Sequence, residues 1–494
     1  MRNVPDRWIL LAAFAVLLIA AWFSSGFQSA DEHYQVIAFA EAKLGHMAVS
    51  TLPWEYAAQI RSAFLPSICC AVFGLAGAAG VHDPCVLAFL LRLLTALFAF
   101  GSVLYFVRSV RRTLPTKLYR PLLLLSFFLW FLPFLHVRFT GETWSGLFLL
   151  LALAFLHAGE GGRGRYLQCG IALGLAFLCR PPVLAAALGI IGWLGWVKRE
   201  RTLHLLHLIA AFMALLIAGI VLDSWFYGQF TFTAWNYLKL GITGSTEHPF
   251  VEFPWWYYYA WVFKYSIPVF GALILSAFGL LCAFKPRHLL TWVIVPFLLL
   301  HMVLPHKELR FLFPLADLVP LLMVTTYPLF TAQWLRMARL LQGPMGKPVV
   351  VLLAGINLAA LCAVIFTPAG SGRTRLAGYV DDHYPARPVG LNYLANGTNV
   401  WDIRIPRFYL HNNTSDTTTN SPCIPVAESR GAVQLLVARG PATFNPRCPD
   451  VQWVEVASAQ PAWKAWLMRA YDLEDAAPVW KLYKAAIPGT MERE

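Results

Sequence analysis

The stretch SADEHYQVIAFAEAKLGHMAVSTLPWEYAAQIR, Ser29 to Arg61, gathers Asp31, Glu32, Glu41 and Glu55 in a chain otherwise poor in carboxylates. It follows directly on the first apolar run, Trp8 to Phe23. Acids held at the edge of a hydrocarbon layer are costly and point to function. Ser29 and Glu32 stand at the spacing of a capping box. The spacing predicts a helix from Ala30 to near Gly45, where glycine suits a left-handed end. Asp31 then lies in the first turn, where the helix dipole favours its ionised form. Neighbouring helical residues point about 100° apart. Asp31 and Glu32 therefore do not face one atom together, and one is read as chemical, the other as structural.

Hydrophobic residues make up 58% of the 494, and charged residues 13%. Long apolar runs in such a composition imply a polytopic membrane protein. The runs are Trp8–Phe23, Val86–Val107, Pro121–Val137, Thr143–His157, Leu167–Cys179, Val183–Val197, Leu205–Leu222, Ala260–Phe284, Leu289–Leu304, Phe311–Phe330 and Val349–Thr367. Basic connectors, such as Arg108–Arg120 and Arg336–Lys347, are assigned to the cytoplasm by the positive-inside rule. The excess of 39 Lys and Arg over 26 Asp and Glu reads as orientation, with no nucleic-acid partner. Phe64–Val81 breaks the alternation and is read as re-entrant or interfacial. About eleven transmembrane helices result, with the N-terminus inside and the tail outside. The first run is read as a retained anchor.

Composition changes near Gly370. Residues 1–370 form the membrane domain, with a first outer loop at 24–66, and 371–494 a small α/β outer domain. In the latter, Ala432–Ala438 and Val451–Val456 read as strands, and Pro461–Arg469 and Val479–Lys484 as short helices. Cys423 and Cys448 are compatible with one disulfide in an oxidising compartment. Asn396, Asn412 and Asn413 stand in N-x-S/T triplets. No Cys/His set has zinc spacing, and no metal site is expected.

On this topology the chemically rich clusters share the outer face. In LPHKELRFLFPLADLVP, Leu304 to Pro320, His306, Lys307 and Arg310 cluster against the orientation bias. Such a cluster suits a phosphate, with arginine as the two-pronged donor. Arg180 precedes Pro181-Pro182, which break the helix and aim its side chain into a cavity. Arg138, Thr140, Glu142 and Thr143 form a further outer cluster. Asp223 and Tyr227 open an aromatic loop that continues through Trp255 and Trp256, a wall for a sugar or lipid headgroup. Neither a P-loop nor a dinucleotide fingerprint occurs. Acid, cations and aromatics on one face fit group transfer from a lipid phosphate carrier.

The motifs D-E-H-Y-Q (31–35), L-P-W-E-Y (52–56), C-R-P-P (179–182), D-S-W-F-Y-G (223–228), P-W-W-Y-Y (254–258) and H-K-E-L-R-F-L-F-P (306–314) stand in this order. In this the chain resembles the polyprenyl-phosphate-mannose-dependent α-mannosyltransferases of glycosylphosphatidylinositol and lipid-linked-oligosaccharide synthesis. The resemblance covers about the first 330 residues. It implies an all-α C-type glycosyltransferase fold, inversion at the anomeric carbon and no required cofactor or metal. On that reading Asp31 is the catalytic base, and Glu32, Glu41, Trp54, Glu55 and Arg61 support the loop and acceptor side. Arg180, His306, Lys307 and Arg310 face the donor phosphate, and Asp223, Tyr227, Trp255 and Trp256 shape the donor-sugar pocket. The expected partners are membrane lipids, a polyprenyl-phosphate sugar (mannose first) and a glycan or glycolipid acceptor. The expected site is a bacterial inner membrane with a periplasmic active site, or an endoplasmic reticulum membrane in a eukaryote. A transferase using another polyprenyl-phosphate sugar and a flippase for lipid-linked sugars are the alternatives. A flippase calls for inverted repeats and midplane charge.

Overall fold

The computed structural model describes residues 5–158, 162–243, 252–334, 339, 343–344, 346–395, 403–424, 432–440, 445–449, 451–470 and 479–486; Asn396 lies outside them. The chain divides into two compact units. One comprises Met1–Ala21, Gln35–Leu75 and Leu90–Ile365; the other comprises Trp22–Tyr34, Ala76–Phe89 and Phe366–Glu494.

The first unit is helical, and each of the eleven apolar runs contains helix. Five helices among the described residues are long and apolar enough to cross a membrane: Asp6–Phe23, Pro84–Thr113, Thr202–Tyr227, Leu309–Gln333 and Gly346–Ile365. Pro268–Phe284 and Leu289–Val303, bent by 114°, make a sixth if taken together. The expected count of about eleven is not confirmed: among the described residues the other runs form shorter or broken helices. Gly141–His157 has 17 residues, about 26 Å at 1.5 Å per residue, against a hydrocarbon core of about 30 Å. Thr116–Phe128 and Leu132–Leu135 split one expected span. Helix Arg163–Cys179 packs between Gly141–His157 and Thr202–Tyr227, and the 3₁₀ segment Leu309–Leu318 lies against Gly141–His157.

The second unit holds a mixed five-stranded sheet. Its strands are β1 (Val389–Leu394), β2 (Thr414–Thr419), β3 (Val433–Gly440), β4 (Gln452–Ser458) and β5 (Val479–Ala486), in the order β2-β1-β3-β5-β4. β1 runs parallel to β2 and β3, and β5 antiparallel to β3 and β4. The expected helix at Val479–Lys484 is therefore a strand. Its alternation explains why: Trp480 and Leu482 enter the apolar cluster on one face of the sheet, Tyr483 the cluster on the other. Cys423 and Cys448 form a disulfide with Cα atoms 5.2 Å apart.

Candidate functional site

The predicted helix after the first span is present in three abutting pieces: Ala30–Glu32, a π-turn His33–Ile37, and Ala38–Lys43. It stops at Gly45, whose φ of +81° is the left-handed region. The capping box is not formed as expected. Ser29 has an extended N-cap backbone but makes no side-chain cap hydrogen bond. Instead the Glu32 carboxylate accepts from the Gln28 backbone N–H at 2.7 Å. Glu32 is buried and Asp31 half-buried, so the two neighbours do differ in access. Asp31 and Glu32 belong to the second unit, whereas Glu41, Trp54, Glu55 and Arg61 belong to the first.

Within the second unit His33 is fully buried. Its ring centroid lies 5.6 Å from Phe27, 5.2 Å from Tyr34, 5.7 Å from Phe408 and 5.6 Å from Tyr409. Burial, and then the positive charge of Arg373, lower its pKa to about 3. The sequence offered no signal for this aromatic enclosure, since two of its rings are some 375 positions away.

In the first unit the loop is fastened at several points. Gln35 Nε2 donates to Glu55 Oε1 at 3.1 Å. Glu41 pairs with His46 at 3.4 Å, and burial raises its pKa despite that partner. Lys43 Nζ donates to the Trp225 and Phe226 carbonyls at 2.9 and 2.8 Å, capping the end of Thr202–Tyr227, where the dipole favours a cation. Asp223 Oδ1 accepts from Ala63 N at 2.7 Å and Ser62 Oγ at 3.2 Å, while Oδ2 accepts from Thr233 Oγ1 at 2.6 Å. Tyr227 donates to the Arg61 carbonyl at 2.7 Å. Asp223 and Tyr227, read from sequence as pocket residues, thus clamp the end of the loop. Trp54 opens the turn Trp54–Ala57, and Arg61 lies 5.9 Å from the Tyr237 ring. Trp255 and Trp256 are exposed.

Two of the expected cations, Arg180 and Arg310, converge on one carboxylate. Gly141 packs so closely on helix Arg163–Cys179 that a Cβ would stand 2.6 Å from the Cys179 carbonyl oxygen. Five residues on, a Cβ at Gly146 would stand 3.0 Å from Pro314 Cα. These two approaches bring Arg180 and Arg310 to the same oxygen of Glu142, which shares the face of Gly146 at the four-residue spacing. Glu142 Oε1 lies 3.2 Å from Arg180 and 3.7 Å from Arg310. Arg180 reaches it because the helix ends at Cys179 and Arg180 is extended, with φ −151° and ψ 100°. Thr140 caps the helix that carries Glu142, its hydroxyl accepting from Thr143 N at 3.2 Å.

A second carboxylate completes the group. Arg310 grips Glu308 two-pronged, at 2.6 and 2.8 Å, and His306 meets the same carboxylate at 3.1 Å. Burial works to raise the Glu308 pKa. Hydrogen bonds from His306 and Arg310 outweigh it and leave the group well below the usual carboxylate range. Lys307 is buried and donates to the Leu304 carbonyl; burial lowers its pKa, with Glu252 opposing. The Phe311 ring lies 4.8 Å from the Arg180 guanidinium and 5.6 Å from that of Arg310. All four cations expected at a phosphate are drawn from two short segments of one unit. Sequence reading placed Glu142 below them, because its role depends on glycine contacts that no spacing reveals. It also missed the buried pair His136–Asp317, 2.6 Å apart, although Asp317 is a lone acid in an apolar run, which is itself a signal.

Many apolar helices, with a loop of acids behind the first of them, make this a multi-pass membrane protein, and its likeness to solved structures gives it the C-type glycosyltransferase fold. The ArnT structure from Cupriavidus metallidurans in the apo state matches it with a TM-score of 0.55 over 97% of this chain and 98% of that one, at 16% identity. The match to ArnT bound to undecaprenyl phosphate has the same score at 13% identity. More particularly, residues 8–371 match the Alg9-like mannosyltransferase family, and the chain belongs to it. It is 22% identical over 290 residues to GPI alpha-1,2-mannosyltransferase 3 of Bos taurus, covering 58% of this chain and 52% of that protein. It is 36% identical over 132 residues to alpha-1,2-mannosyltransferase alg9 of Schizosaccharomyces pombe, covering 24% of this chain and 23% of that protein. The chain thus spans about half, or less, of the curated relatives it matches.

Proposed function

We propose that this protein is an inverting α-mannosyltransferase. It moves mannose from a polyprenyl-phosphate carrier to a hydroxyl of a lipid-linked or glycan acceptor at the outer face of its membrane. The observation that carries the reading is the convergence of Arg180 and Arg310 on Glu142, with His306 and Lys307 beside them, in a chain of this family. The ArnT structure holding undecaprenyl phosphate supports the class of donor.

The acceptor oxygen attacks the anomeric carbon as the bond from that carbon to the phosphate oxygen breaks. The phosphodiester monoanion leaves as a polyprenyl phosphate carrying one more negative charge, and the acceptor proton passes to the Asp31 carboxylate. Extra charge on the leaving group is what guanidinium groups placed beforehand stabilise most. The access of Asp31, beside the buried and occupied Glu32, supports assigning the proton to Asp31.

Purified protein in nanodiscs, given polyprenyl-phosphate-[³H]mannose or GDP-[³H]mannose with candidate glycolipids, tests the reading. Label should enter lipid product from the polyprenyl donor alone. Transfer from GDP-mannose without a polyprenyl intermediate would overturn it.

A further inference from the structure

Helix Ala462–Ala470 in the second unit turns its largest apolar side chains outward. Trp463, Trp466 and Leu467 are 41%, 65% and 40% exposed. Spacings of three and four put them on one helical face, with exposed Ala462 and Ala470, while Lys464 and Ala465 are the half-buried residues. An amphipathic helix of a water-soluble domain turns such a stripe inward. Here neither apolar cluster of the sheet includes a described residue of this helix.

The place of the helix in the chain says what covers the stripe. Gly372, at φ +76°, packs under Ala459 so closely that a Cβ would stand 2.6 Å from the Ala459 carbonyl oxygen. Ala369 N donates to the Ser25 carbonyl at 2.7 Å, and Gly370 lies directly on the Phe27 carbonyl. The rings of Phe23 and Phe366 are 5.1 Å apart. Phe23 ends the span Asp6–Phe23, and Phe366 directly follows the span Gly346–Ile365. Two membrane helices therefore end at this spot. From Ala459 to the start of helix Ala462–Ala470 is three residues, at most about 10 Å. Trp22, next to Phe23 at the end of its span, is likewise 64% exposed.

We propose that helix Ala462–Ala470 is an interfacial anchor. Its Trp463–Trp466–Leu467 face lies in the headgroup and acyl boundary of the leaflet at which Asp6–Phe23 and Gly346–Ile365 end. Tryptophan prefers this layer, being apolar in body and polar at its indole N–H. A short helix with such a face lies in the plane of the interface.

The test uses the full chain in nanodiscs of phosphatidylcholine and phosphatidylglycerol, with exposed Cys85 and Cys362 replaced by serine. A nitroxide is placed at Ala470→Cys, on the apolar face with both tryptophans kept, or at Lys464→Cys, on the other face. Collisions with oxygen and with a water-soluble nickel chelate are then measured. The Ala470 label should favour oxygen several-fold over the Lys464 label. Adding Trp463→Ser and Trp466→Ser should return the Ala470 label toward the chelate. Equal, water-like values at both labels would overturn the proposal. So would an Ala470 label shielded from both reagents, the sign of a covering protein surface.

Discussion

Glu142→Gln is the most informative substitution at the cation cluster. It keeps the size of the side chain and removes the charge that Arg180 and Arg310 share at 3.2 and 3.7 Å. At an effective dielectric of about 20, the gross attraction over such distances is about 5 kcal/mol per pair. Glu142 is 5% exposed, so desolvation has already offset much of this. Removing one partner of a buried pair costs about 3–5 kcal/mol. Part of that appears as lower stability. The rest is lost when the arginines, freed from the carboxylate they both pair with, must be ordered again by the proposed donor phosphate. Between about 1.4 and 3 kcal/mol of that kind corresponds to a 10- to 100-fold fall in kcat/KM for the donor. The acceptor KM should stay within about two-fold. Thermal unfolding in detergent and steady-state transfer with each substrate varied in turn give the two numbers. A stable Glu142→Gln protein with the donor kcat/KM of the wild type would refute the reasoning, because the arginines would then need no shared carboxylate.

Other expectations follow from the same geometry. Arg310→Ala and Arg180→Ala should each cut turnover strongly, with Lys rescuing only in part, since the two-pronged geometry is lost; unaltered donor kinetics would remove these residues from the phosphate site. Asp31→Asn should lower kcat by on the order of 10²–10⁴-fold with the donor KM little changed, whereas Glu32→Gln should cost more stability than rate, because Glu32 holds the Gln28 N–H. Gly146→Ala places a methyl 3.0 Å from Pro314 Cα and should destabilise by about 1–3 kcal/mol, read as a lower melting midpoint. His33 sets an acid limit. Its pKa falls from 6.5 to about 3 on folding, so below pH 6.5 the unfolded chain binds the proton that the folded one refuses, and stability falls as pH drops toward 3. His33→Phe should flatten that loss between pH 6.5 and 4; an unchanged pH profile would show that His33 is not the group responsible.

How much of this was legible depends on the range of the contact. The eleven apolar runs announced helices, and each contains one. How many of those helices are long enough to cross was harder to read, because Pro181-Pro182 and the break between Phe128 and Leu132 act on backbone geometry rather than on hydropathy. Arg180 stood out because proline cannot continue the helix behind it, and His306, Lys307 and Arg310 because they cluster within five residues. Glu142 needed Gly141 and Gly146 to touch Cys179 and Pro314, the latter contact spanning 168 positions. That Ala63 N and two hydroxyls take up both oxygens of Asp223 was not legible, since a carboxylate in an aromatic loop gives no hint of such partners. Val479–Lys484 was ambiguous as a short apolar run, and only pairing with β3 and β4 makes it a strand.

The central claim is group transfer from a polyprenyl phosphate, and its most direct measurement is the stoichiometry and stereochemistry of one reaction. Purified protein is incubated with polyprenyl-phosphate-mannose and its acceptor, and polyprenyl phosphate, mannosylated product and anomeric configuration are determined together. The account predicts one polyprenyl phosphate released per mannose transferred, an α-linked product cleaved by α-mannosidase, and loss of both products in Asp31→Asn. Donor that crosses a sealed vesicle membrane intact, with no mannosylated product and no released polyprenyl phosphate, would contradict it.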